Sequence, residues 1–377
     1  MNSNTIPLSS PHMGESEQKY ITETLASNWV TSLGPNLALF EDRLEAYLGS
    51  GAVAALNSGT SAIHLGLILL GVQAGDEVLC QTMTFSASAN PILYQGATPV
   101  FIDSEPDTWN LCPVALEDAI QDRIAKGVTP KAIIAVHLYG VPYQVDAIRE
   151  VADRYGIPIL EDAAEALGSS YKGQRCGTFG DIGIFSFNGN KIITTSSGGA
   201  LVLRTAALKK KAIFYATQSK DDAPHYQHST IGYNYRMSNI CAAIGLGQLE
   251  VLDERLRLRS AMHDFYVELF KSIPGVTVYT VPHADYASNY WLTTLLIRPE
   301  LTGGITRETV RQALNDAAID CRPLWKPMHL QPLFENQPYY GGTVSATLFD
   351  IGLCMPSGSA LTDADRSRIK EVLMGVF

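Results

Sequence analysis

The strongest constraint on this chain is a rhythm of short apolar runs. Residues 52–56, 77–80, 98–102, 132–136 and 157–160 are each four or five residues long, and none alternates cleanly between polar and apolar. That is the pattern of strands buried on both faces of a parallel sheet. Helical segments fill the intervals, at 62–70, 87–94, 113–124 and 144–155, the third with Pro113 at its start. Repeated strand–helix units predict an α/β domain, a mainly parallel sheet between helices. The rhythm breaks at 182–187 and 199–203, two strand runs with no room for a crossover helix between them.

The flanks read differently. Helices are expected at 15–27, 37–47 and 206–215, and a long helical pattern at 239–270 bridges into the last part of the chain. Beyond Pro274 come strands at 276–279, 291–297 and from 320–321, a helix at 306–317, and a final helix opened by Thr362-Asp-Ala-Asp365 at capping-box spacing. The expectation is a large α/β domain over 1–250 and a smaller α+β domain over 251–377.

Composition narrows the function. A net charge of -10 without a basic block argues against nucleic-acid binding. The six cysteines form no C-x-x-C pair, so no metal site is expected. The N-terminus has no signal-peptide pattern, and the longest apolar stretch, 62–72, is far short of the ~20 residues of a membrane span. The expected location is cytoplasmic, away from membranes.

Four features carry chemistry. Asp162 ends the fifth apolar run, where ligands sit in open α/β sheets. It reads either as the cap of a helix over 163–166 or as a carboxylate that pairs with a protonated ring nitrogen, as in pyridoxal phosphate enzymes. Lys191 follows the strand run 182–187 and precedes Ile192-Ile193. It is either a loop lysine or a partly desolvated amine nucleophile. Asn57-Ser-Gly-Thr-Ser61 ends a strand and opens a helix, so it is a capped start or a seat for one phosphate monoester. It has neither the P-loop nor the dinucleotide fingerprint, and the missing G-x-G-x-x-G disfavours a nicotinamide oxidoreductase. Phe85 is a core aromatic or a ring that stacks on a cofactor. All four fall at strand ends of one α/β unit.

These residues also carry a resemblance. Asn57-Ser-Gly-Thr-Ser61, Glu161-Asp-Ala-Ala-Glu165, Gly177-Thr-Phe-Gly-Asp-Ile-Gly183, Phe185-Ser-Phe-Asn-Gly-Asn-Lys191, Gly232-Tyr-Asn-Tyr-Arg-Met-Ser-Asn239 and Met355-Pro-Ser-Gly358 resemble the DegT/DnrJ/EryC1/StrS sugar-nucleotide aminotransferases over nearly the whole chain. The resemblance implies the pyridoxal phosphate-dependent transferase fold of type I. It implies that Lys191 bonds the cofactor and Asp162 faces its pyridine nitrogen. Glu165 falls beside the cofactor's phenolic oxygen, where most members have Gln. Ser186, Thr60 and the backbone at Gly59 and Ser61 match the phosphate cup, and Phe85 the stacking aromatic. Asn234 matches a residue that reaches the phosphate from a neighbouring subunit, which implies a homodimer with shared sites.

Glu165, Ser10-Pro-His-Met-Gly14, Asn28-Trp29, His225-Tyr-Gln-His228 and Arg322-Pro-Leu-Trp-Lys-Pro-Met-His329 are similar to the subgroup that aminates UDP-4-keto-6-deoxy-N-acetylglucosamine. The implied reaction moves an amino group from L-glutamate to C-4 of that sugar, through the pyridoxamine form of the cofactor. Arg322, Lys326 and His329 are candidates for the diphosphate or sugar, and His137, His12, His225 and His228 for further contacts. Ser196-Ser197 stands where relatives often have more glycine, so the geometry of that loop is open. The alternatives are a transaminase for a dTDP- or GDP-linked keto sugar, at C-3 or C-4, and a regulator that binds the cofactor without turnover.

Overall fold

The computed structural model describes residues 5–377. Helices α1 (Glu17–Ala26) and α2 (Pro35–Leu48) precede four strand–helix units: β1 (Ala52–Leu56) with α3 (Gly59–Leu69), β2 (Glu77–Gln81) with α4 (Ser86–Tyr94), β3 (Thr98–Ile102) with α5 (Pro113–Ala125), and β4 (Ala132–Val136) with α6 (Val145–Tyr155). Then come β5 (Ile159–Asp162), the short β6 (Ser170–Tyr171) and β7 (Gln174–Arg175), β8 (Ile182–Ser186), β9 (Gly199–Leu203) and α7 (Ala206–Ala216).

The main sheet has the order β1-β9-β8-β5-β4-β2-β3, extended at the far edge by β14 (Tyr339–Tyr340). Strand β9 is antiparallel to both its neighbours, and the other pairings are parallel. Both faces are covered, which is why the strands read as unbroken apolar runs. In β4, Ala132, Ile134 and Val136 enter one core while Ile133 and Ala135 enter another. The chain thus has the α/β architecture of fold type I transferases expected from its sequence.

Reversal at β9 has a functional consequence. Residues 187–198 return from the carboxyl end of β8 to the start of β9, so Lys191 sits at the carboxyl edge of the sheet. Ser196 in this return has φ +71°, the left-handed region that glycine enters freely, and its N–H donates to Thr194 Oγ1 at 2.8 Å. The loop therefore keeps, with a serine, a turn that glycine would make at less strain.

The single long helix expected over 239–270 is two. Helix α8 (Asn239–Glu250) and α9 (Leu252–Phe270) are separated by Val251, at φ -110° and ψ 8°. Helix α8 packs against α1 and α2. Helix α9 packs under a second, antiparallel sheet of β10 (Val276–Val278), β12 (Thr293–Ile297), β15 (Gly352–Met355) and β13 (Arg322–Pro323). Its core takes Met262, Tyr266 and Phe270 from α9, Val310 and Leu314 from α10 (Arg307–Asp316), and Ile369 and Leu373 from α12 (Asp363–Val376). Between these elements lie β11 (Tyr286–Ala287), which pairs with β6, and α11 (Val344–Ile351). Further pairings cross from one sheet unit to the other. Ile6 bridges to Ile319, and β14 leaves the last hundred residues to pair with β3.

Candidate functional site

A cavity of about 520 Å³ opens at the carboxyl edge of the main sheet. Its floor holds Asp162, Glu165, Ser186 and Lys191, and its rim Phe85, Trp325 and Arg322.

Asp162 is not a helix cap, because no helix follows it. Asn289 Nδ2 donates to the carbonyls of Glu165 (2.7 Å) and Leu167 (2.9 Å), which a helix would need for itself. Residues 163–168 become turns instead. Asp162 is buried, with Oδ1 accepting from the Ala164 N–H (3.1 Å) and Oδ2 from Ser88 Oγ (2.6 Å). Thr84 Oγ1 lies 2.6 Å from that serine hydroxyl and steadies it. Burial raises the Asp162 pKa against these hydrogen bonds and the nearby Lys191. Ser88 and Thr84 carried no sequence signal of their own.

Glu165 lies 3.5 Å from Lys191 Nζ through Oε1, and its Oε2 accepts from the Tyr139 N–H at 2.7 Å. Burial pushes its carboxyl up to about 7, opposed by Lys191. The Lys191 side chain is only 12 % exposed, and its ammonium lies 4.2 Å from the ring centroid of Trp291. Trp291 is a further residue the sequence did not reveal.

The anion seat is formed where three elements meet. Helix α3 is capped by Ser58, whose Oγ accepts from the Ser61 N–H at 3.0 Å. The first-turn amides ahead of Ser61 have no intrahelical acceptor, as at any helix start. A Cβ on Gly59 would come within 2.9 Å of Ser186 Cβ, and one on Gly199 within 2.4 Å of the Ser58 carbonyl carbon. Glycine at both positions lets the turn, β8 and β9 close together. Ser58, Gly59, Thr60 and Ser186 line the cavity, whereas the Ser61 hydroxyl faces Ser58 Oγ at 2.9 Å. Phe85 is no core aromatic. It is 56 % exposed on the rim, with its ring centroid 5.6 Å from that of Trp325.

The remaining candidates separate. Arg322 reaches the cavity, and Lys326 lines an adjoining groove that shares Thr84, Phe85 and Trp325 with it. His137 does not reach it. The ring is fully buried behind the floor, with Nε2 2.7 Å from Glu161 Oε1 and its face stacked on Tyr143. His329 is turned away, with Nδ1 2.7 Å from Thr82 Oγ1 and its ring stacked on Tyr339. His12 is held by Ser359 Oγ at 3.2 Å, outside the cavity lining. His225 and His228 are exposed on the loop after α7, outside the cavity lining. Asn234 is exposed too, its carbonyl accepting from Asn57 Nδ2 at 3.1 Å, and it does not line its own chain's cavity.

The donor set fits pyridoxal phosphate. Free amides and hydroxyls face one end of the cavity, a buried carboxylate forms its floor, and an amine stands beside both. Among the described residues no helix is long and apolar enough to cross a membrane, and no cluster of ligating side chains is arranged to hold a metal.

Known proteins are similar to this chain along almost its whole length. The model of the DegT/DnrJ/EryC1/StrS aminotransferase family matches residues 11–374. EpsN of Bacillus subtilis (strain 168), whose name marks it provisionally as a pyridoxal phosphate-dependent aminotransferase, is 50% identical over 99% of this chain and 96% of its own. The GDP-perosamine synthase of Escherichia coli O157:H7 is 37% identical over 95% of this chain and 94% of its own. Among solved structures, Spr1654 of Streptococcus pneumoniae, provisionally named a sugar aminotransferase, superposes in its PMP form with a TM-score of 0.90 at 28% identity, covering 99% of this chain and 97% of that one.

Proposed function

The chain belongs to the DegT/DnrJ/EryC1/StrS aminotransferase family, and from that membership we propose that it transfers the amino group of L-glutamate to C-4 of a nucleotide-linked 4-keto-6-deoxy sugar. The observation that carries the reading is the convergence of Lys191, Asp162 and Glu165 on one cavity beside the open start of α3.

Bound there, pyridoxal phosphate supplies an electron sink for a carbanion at the amino-bearing carbon. The chain's own residues do the rest. The α3 amides, Thr60 and Ser186 hold the phosphate, and Phe85 covers the ring. Asp162 keeps the pyridine nitrogen protonated, and its low-dielectric setting strengthens that pairing. Glu165 faces the phenolic oxygen. Lys191 Nζ would hold the cofactor through its aldehyde and, when free, would carry a proton to and from the reacting substrate carbon. Overall, the amino group would pass from L-glutamate to the keto sugar, giving 2-oxoglutarate and the amino sugar.

The acceptor is UDP-4-keto-6-deoxy-N-acetylglucosamine, on the strength of Glu165 and the Arg322–His329 segment. The relatives named GDP-perosamine synthase favour a GDP-linked keto sugar as the second reading. The enzyme works as a homodimer. Asn234 is too exposed to serve its own site, and Trp29, Val30 and Ile231 present apolar surface to solvent. The test is a product assay with L-glutamate and UDP-, dTDP- or GDP-linked 4-keto-6-deoxy sugars. Amination of the UDP substrate at C-4 is expected. A preference for the GDP substrate would select the second reading, and no amination of any of them would overturn the proposal.

A further inference from the structure

We propose that Arg259 is a positioning residue for Lys191, an inference that rests on reading Lys191 as the residue that captures the cofactor. The carbonyl of Asn190, the residue just before Lys191, accepts two side-chain hydrogen bonds, from Ser9 Oγ and from Trp291 Nε1, both at 2.7 Å. Arg259 holds both donors. Its Nη2 donates to Ser9 Oγ at 2.9 Å, and its Nη1 donates to the carbonyls of Trp291 (2.5 Å) and Ser357 (3.1 Å). One guanidinium from α9 therefore fixes the two groups that fix the lysine's neighbour, and the indole it anchors is the ring that Lys191 Nζ faces.

Charge pairing does not explain this residue. Arg259 is 1 % exposed, no carboxylate pairs with it among the described residues, and its Nε has no acceptor. Burying an unpaired charge is unfavourable. What arginine supplies is a rigid, planar fork of donors. Here the fork spans oxygens from three separate segments, residues 9, 291 and 357. A reactive amine needs that rigidity, because a displacement of about 1 Å can slow a reaction about 100-fold.

The test uses cofactor-free protein mixed with pyridoxal phosphate. The rise of visible absorbance reports capture, and the melting temperature of the cofactor-free protein reports stability. Arg259→Met leaves the Trp291 and Ser357 carbonyls without this donor and is expected to melt below the wild-type temperature; assayed well below its own melting temperature, it is expected to capture cofactor about 10- to 100-fold more slowly, the range that outer hydrogen-bond partners of reactive groups command. Its kcat should fall in parallel, with KM for L-glutamate nearly unchanged. Ser9→Ala combined with Trp291→Phe leaves Arg259 in place, keeps an aromatic face toward Lys191 and removes both hydrogen bonds to Asn190. It should reproduce the slow capture, and it decides the question alone if Arg259→Met does not fold. Capture at the wild-type rate in either variant, or slow capture that recovers on cooling well below the variant's melting temperature, overturns the proposal. A Lys191→Ala protein with the same visible band as wild type would instead overturn the reading of Lys191 itself.

Discussion

At the floor of the cavity, each of the four carboxylate oxygens of Asp162 and Glu165 has a named donor. On the C-terminal wall, Arg322 leaves 68 % of its side chain exposed and, among the described residues, is held only through its Nε by Asp320, at 3.0 Å. The floor is built by β5, β8 and the turn into α4. The wall is a two-residue edge strand and the loop after it. A fully bonded, buried floor can hold a cofactor in one geometry and shift the pKa of what it holds. An exposed wall can be altered without disturbing that geometry, which makes it the natural place to choose between acceptors. Mutations on the two sides should therefore fail differently.

Lys191→Ala breaks the floor most severely. Turnover should fall at least about 1000-fold, because in the proposed function the amine serves both as nucleophile and as proton carrier, and stopped-flow absorbance should find no capture of the aldehyde cofactor. Asp162→Asn comes next. It keeps the shape and the Ser88 contact but removes the charge proposed to face the ring nitrogen, so kcat should fall about 100-fold, the usual scale for a lost electrostatic stabiliser. Wild-type kcat in the Asp162→Asn variant would place the protonated ring nitrogen's partner elsewhere.

Glu165→Gln has a smaller effect, visible in stability. The carboxyl rises from 4.5 unfolded to about 7 in the folded protein. Between those values the folded state holds a proton that the unfolded chain releases, so this group's contribution to stability falls as pH rises and levels off above about 7. In cofactor-free protein, denaturant titrations over that window should show the variant gaining on wild type by up to roughly 3 kcal/mol. A constant difference across the window would mean that Glu165 titrates normally.

Much of the floor was legible because its parts lie next to strand ends in sequence. Asp162, Lys191 and Ser58 to Ser61 each follow an apolar run directly. What stayed hidden is held across the chain. Ser88 reaches Asp162 over 74 residues, and Trp291 reaches Asn190 over 101. Neither leaves a trace in local spacing. The same cause misled two local readings. The segment after Asp162 has helical composition, yet Asn289 claims its carbonyls. The run over 239–270 is helical throughout in pattern, yet it breaks at Val251, where packing changes from α1 and α2 to the second sheet. His137 looked like a site residue because it ends a strand, but it faces Glu161, whose other oxygen accepts from the Phe179 and Gly180 amides at 2.7 Å. It braces the floor from behind.

Arg322→Ala tests the wall and should have the smallest effect on chemistry. The guanidinium lines the cavity, but its Asp320 partner is a partly exposed carboxylate, so the pair adds little to stability. Removing it should leave the melting temperature and the half-reaction with L-glutamate unchanged. What it should lose is a charged donor to the diphosphate or sugar, a loss worth about 1.5–3 kcal/mol when such a bond forms. KM for the nucleotide sugar should then rise roughly 10- to 100-fold with kcat little changed, since an interaction made equally in the ground and transition states alters KM alone. Steady-state kinetics at saturating glutamate separates the two constants. If Arg322→Ala slowed the glutamate half-reaction as well, the arginine would belong to the floor, and the division between a fixed cofactor seat and a variable acceptor wall would have to be drawn further out, at Lys326.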